Sequence, residues 1–100
     1  MSTDNVTRIN EMEAILDECR QSIDELQEAL DKIEQLRGKM GRLFSYYGSA
    51  AWYEDRELEL PPDVKAGVLS EDLVYDVIMD TRDALFQMLE LGTDMLKNRI

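Results

Sequence analysis

No histidine occurs anywhere in this chain. That removes the commonest acid/base side chain and the commonest neutral metal ligand. A single cysteine, Cys19, cannot form an intramolecular disulfide and, without histidine, cannot build a cysteine/histidine zinc site. The Glu-x-x-His pairs of a di-iron helical bundle are excluded for the same reason. The one stretch with phosphate-loop flavour, Gly38-Lys39-Met40-Gly41-Arg42, lacks the required spacing and follows no strand. The few serines and threonines sit in no setting that would activate a nucleophile. No catalytic residue, metal ligand or cofactor is expected, and the expectation is a protein that is not an enzyme.

Long apolar runs are also missing. Nothing approaches the roughly eighteen consecutive apolar residues of a membrane span. The opening Met-Ser-Thr-Asp-Asn has neither a basic region nor an apolar stretch, so no secretory signal is expected and the compartment expected is the cytoplasm. Basic residues are scarce, 11 against 22 acids, for a net charge of −11. Such a surface repels nucleic acid, so direct binding to DNA or RNA is not expected. Two partner classes remain: basic proteins, and proteins whose basic groove normally holds nucleic acid.

What the chain does have is a long apolar seam. Ile9, Met12, Leu16, Cys19, Ile23, Leu26, Leu30, Ile33, Met40, Phe44 and Tyr47 recur at alternating three- and four-residue steps, with Arg37 the one interruption. This is the a/d pattern of a helix packed lengthwise against other helices, with Cys19 at a d position and expected to be buried beside core residues Leu26 and Leu30. Ile15, Ala29, Leu36 and Leu43 widen the stripe toward that of a bundle. The seam keeps register across Gly38 and Gly41, so one helix is expected over about residues 4–47, capped by Asp4 or Asn5 and closed by Gly48. Ser49 is placed to cap a short helix over about 50–58, ended by Pro61 and Pro62. A loop over 59–69 follows, with one helical turn from Asp63 to Gly67.

The final helix is expected over about 70–98. Ser70 is a suitable cap, Glu71 and Asp72 favour the helix dipole, and Leu69 and Val74 have staple spacing. A second seam runs through Val74, Ile78, Thr81, Leu85, Met88, Gly92 and Met95, with Tyr75, Met79 and Phe86 adding bulk to one side. Its polar face is narrow and acidic (Asp76, Asp80, Asp83, Glu90, Asp94), which predicts a mostly enclosed helix. One chain has too few elements to cover both seams, so a homodimer with a four-helix core is expected. The fold class is all-α: a long N-terminal helix, a short middle helix and an antiparallel C-terminal helix, as a helical hairpin or bundle in a single domain spanning 1–100.

Phe44, Tyr46, Tyr47, Trp52 and Tyr53 place five of the chain's seven aromatics within ten residues. Such a cluster serves either as a small core where the short helix folds back, or as a contact surface, since Tyr and Trp are enriched at interface hot spots. Tyr46, Trp52 and Tyr53 are the candidate partner-binding residues.

Tyr46-Tyr47-Gly48-Ser49, then Trp52, Leu60-Pro61 with Asp63, and Gly67-Val68-Leu69-Ser70-Glu71-Asp72 with Tyr75-Asp76 resemble a family of short bacterial proteins catalogued as domain of unknown function 4298. The similarity extends to Met12-Glu13 and Ile15-Leu16-Asp17-Glu18, and the middle motif is its specific part. The resemblance implies a small, mainly helical bacterial protein and carries no reaction, cofactor or partner. The leading functional expectation is a non-enzymatic interaction or adaptor module acting as a dimer on a protein partner, with basic proteins among the candidates. The alternative is an acidic nucleic-acid mimic, a phage-type decoy whose rows Asp17, Asp24, Asp31 and Asp76, Asp80, Asp83 occupy a basic groove.

Overall fold

The computed structural model describes residues 2–100. Its elements are α1 (Thr3–Tyr46), α2 (Ala50–Arg56), a 3₁₀ turn (Gly67–Leu69) and α3 (Glu71–Lys97), and the described residues include no strand. The fold is therefore all-α, with a long first helix, a short middle one and a C-terminal one. The chain divides into two compact units, Met1–Gly38 and Lys39–Ile100.

The described residues of the first unit belong almost wholly to α1, whose last turns, from Lys39 to Tyr46, lie in the second unit. The cap of α1 is Ser2, whose hydroxyl accepts from the Asn5 amide at 3.3 Å, so neither Asp4 nor Asn5 takes the role expected of it. The hydroxyl of Ser2 reaches the third helical amide, which is the geometry a cap needs. The helix passes through Gly38 and Gly41 without a break. No residue of α1 is buried. Cys19 is exposed, and Leu26 and Leu30 are 47% and 39% exposed, against the expectation of a core at all three positions. The reason is elementary: within that unit a single helix has a seam but no second element to bury it against.

The second unit is where the chain folds on itself. After Tyr46 the backbone turns at Gly48, whose φ of +76° lies in the left-handed region that side chains with a Cβ enter only at a cost. Ser49 then caps α2, accepting from the Trp52 amide at 3.2 Å. The helix ends at Arg56, two residues earlier than expected and well short of the prolines. It is closed by bonds from the Glu57 amide to Glu54 and from Leu58 to Asp55, the tighter spacing typical of a fraying last turn.

The turn expected from Asp63 to Gly67 lies elsewhere. A bond from the Val64 amide to the Pro61 carbonyl makes one turn, and the 3₁₀ segment opens at Gly67 rather than closing there. A Cβ at Gly67 would come within 3.2 Å of Leu73 Cδ1, so its absence lets the segment approach the start of α3. Ser70 caps α3 as expected, accepting from the amides of Asp72 and Leu73 at 3.2 and 3.5 Å.

The core of this unit is small. Trp52 and Val74 are the buried hydrophobic residues among those described, at 2% and 5% exposure. The expectation that α3 is mostly enclosed is not met within one chain, where Val74 is its one buried residue. Near its start α3 meets the 3₁₀ segment, Ile78, Met79 and Thr81 are half-buried, and most of its apolar stripe beyond them is exposed. Among the described residues no helix is long and apolar enough to cross a membrane.

Replacing Trp52 with alanine should destabilise the second unit by about 3–5 kcal/mol, the usual loss for a buried large aromatic. Gly48→Ala should cost about 1–2 kcal/mol by forcing a Cβ into left-handed backbone. Urea titrations followed by circular dichroism at 222 nm would read both values.

Candidate interaction surface

Each aromatic of the corner has a separate task. Trp52, in the first turn of α2, donates its indole N–H to the Val68 carbonyl at 3.0 Å. That bond satisfies the one polar atom of an otherwise apolar side chain and ties α2 to the 3₁₀ segment. The Tyr47 ring lies 5.1 Å from Trp52 with the planes inclined at 58°. Its hydroxyl donates to the Glu71 carbonyl at 2.8 Å, linking the end of α1 to the start of α3. Arg56 lies over the indole, with its guanidinium 4.5 Å from the centre of the Trp52 ring and 3.3 Å from a Glu71 carboxylate oxygen. An exposed pair of this kind contributes on the order of 0.2–1 kcal/mol, so its chief effect is to seal the indole from water.

Of the three candidate partner-binding residues, Trp52 is enclosed within the single chain, at 2% exposure. Tyr46 is half-buried, its hydroxyl donating to Asp55 Oδ2 at 2.5 Å. Tyr53 is 58% exposed. It presents one edge to Trp52, centroid to centroid 4.9 Å at 77°, and leaves the rest of the ring in water. Adjacent residues on a helix diverge by about 100°, which is why Trp52 and Tyr53 separate into an inward and an outward ring.

A second apolar surface in the same unit was not singled out by sequence reasoning. Phe44, Ile78, Thr81, Leu85, Phe86 and Leu89 line an open groove of about 450 Å³. Arg82 borders it, with its guanidinium 5.5 Å from the Phe86 ring centre. Leu85, Phe86 and Leu89 are 54%, 50% and 66% exposed, an apolar density unusual for surface that meets only water. The signal for it was present in the second seam and in the extra bulk at Phe86. What the periodicity lacked was any indication that this stretch of the seam would stay uncovered in the single chain.

Among the described residues no three or more carboxylate or thiol side chains converge where a metal ion could sit. Asp76, Asp80 and Asp83 are exposed to solvent. Among the described residues, the one titrating group clearly moved from its ordinary value is Tyr46. Its phenol is raised above 10, chiefly because it donates to the Asp55 carboxylate, with desolvation and the nearby negative charge adding to the effect. A phenol raised in the folded state stabilises the fold below its unfolded value, near pH 10, and loses that contribution as pH climbs through the folded value. Phenolate absorbance at 295 nm should therefore show one tyrosine ionising later than an unstructured tyrosine. Asp55→Asn should bring that transition back toward pH 10, and Tyr46→Phe should remove it.

No match to a curated protein was found. The model of one family, described as "Domain of unknown function (DUF4298)", matches residues 9–91, a span that includes the seam of α1, the aromatic corner and the groove. The chain belongs to the DUF4298 family.

Proposed function

We propose that this protein is a non-enzymatic protein–protein interaction module, and that it works as a dimer. The observation that carries the reading is the open groove around Phe44, Leu85, Phe86 and Leu89, formed by large apolar side chains left half in water. Water-exposed apolar patches of this density usually mark a contact site. Its apolar lining suits the apolar face of a partner helix, whose side chains at i, i+3 and i+4 would seat among Ile78, Leu85 and Leu89. Arg82 stands on the rim, and the chain's excess of acid, 22 acidic against 11 basic residues, favours a partner with basic flanks. Tyr53 adds an outward aromatic ring of the type that anchors interfaces. A small module in which one indole holds the corner and large apolar groups remain outside is built for contact.

The test is affinity capture from lysate of the source cell with wild type and three variants, at low salt and at about 0.5 M salt, where the screening length falls to a few ångströms. Leu85→Asp and Phe86→Asp should abolish capture of the specific partner, and Tyr53→Ala should weaken it. None of the three should lower the melting temperature by more than a few degrees, because these residues are largely exposed. Capture that persists at 0.5 M salt fits an apolar contact. Capture lost at high salt and indifferent to the groove variants would replace this reading with that of an acidic nucleic-acid mimic.

A further inference from the structure

The apolar seam of α1 points to its own occupant. No residue of α1 is buried, yet Ile9, Leu16, Ile23, Leu26, Leu30 and Ile33 are large apolar groups between 39% and 52% exposed. The side-chain pairs along the helix, Gln21 to Glu25 at 3.1 Å and Glu34 to Arg37 at 3.6 Å, are of the local kind that adds only a few tenths of a kilocalorie each. Most helix stability in water comes from packing an apolar face. The seam advances by 3.5 residues per turn over its whole length. A surface that covers it must be another helix with the same period and comparable length. A second copy of α1 meets both conditions by construction.

Charge decides the direction. From Asp4 to Glu25 the helix carries seven carboxylates and two basic groups, Arg8 and Arg20. From Glu28 to Arg42 the balance reverses: Lys32, Arg37, Lys39 and Arg42 stand against Glu28, Asp31 and Glu34. A parallel pair in register would superpose the two acidic stretches and set Arg37 directly against Arg37 of the second copy, inside the seam. An antiparallel pair lays each acidic stretch along the other copy's basic one and separates the two arginines toward opposite ends. Opposed helix dipoles favour the same direction. We infer that two copies of this chain pair antiparallel along the α1 seam. The inference rests on the dimeric working form proposed above and adds its surface and polarity.

Two single-cysteine forms of the full chain, Asn10→Cys and Asp24→Cys, each combined with Cys19→Ser and spin-labelled, test it by pulsed electron resonance beside light-scattering mass. Asp24 lies near the middle of the seam, so its two labels should fall within about 25 Å of each other in an antiparallel pair with its midpoint near this residue. Asn10 lies near one end, and at 1.5 Å per residue the same pair should hold its labels more than about 30 Å apart. A short distance at both sites means a parallel pair and overturns the inference while leaving the dimer intact. A dimer mass with no short distance at Asp24 means the copies meet elsewhere, which overturns it too. A monomer mass with no dipolar coupling at either site removes the dimer itself. If Cys19→Ser lowers helix content, the same measurements on Cys19→Ala carry the test.

Discussion

The burial of one indole organises the second unit. Trp52 is the most enclosed side chain described, and every link in the corner either touches it or frames it. Its own N–H holds the Val68 carbonyl, Tyr47 stacks at an angle on one side, and Arg56 lies over the ring. Burying a side chain of this size contributes several kilocalories per mole, more than the exposed ion pair and the helix caps around it. The geometry follows from that difference. Ser49 and Ser70 set where α2 and α3 begin, and the indole sets where those beginnings must lie relative to each other.

This economy has a functional consequence. A chain of 100 residues buries a limited fraction of its surface even when it is globular. Here the enclosed residues are concentrated at one corner, and the broad stripe of α3 beyond it stays largely exposed. The same arrangement that leaves Leu85, Phe86 and Leu89 in water makes them available to a partner. In the first unit the principle is carried further, because α1 there has an apolar seam and no buried residue at all. Both units present helix faces with the composition of a core and the exposure of a surface. The contact with another chain proposed above would cover such faces.

Sequence reasoning read the elements well because their signals are local. The caps at Ser49 and Ser70 need only a hydroxyl beside the first helical amides. Gly48 needs only its freedom at positive φ, and the seam of α1 persists through Gly38 and Gly41 because its period does. The separation of Trp52 from Tyr53 into an inward and an outward ring followed from the helical period alone. The readings that the single chain does not meet required knowledge of what lies opposite. Cys19, Leu26 and Leu30 carry the pattern of buried residues, but a pattern specifies which face is apolar and not whether anything covers it. The α3 stripe was read as enclosed for the same reason, and the groove among its residues was missed.

Residue order by itself therefore determined the helices, their caps, the aromatic corner and the faces that seek burial, since each depends on neighbours a few positions away. Tertiary structure alone decided that the 3₁₀ turn opens at Gly67, that the Val68 carbonyl receives the Trp52 indole, and that Tyr46 meets Asp55. It also decided which apolar groups remain in water. These outcomes depend on groups brought together from separate elements, and on how much surface one short chain can enclose. Periodicity carries no information about either.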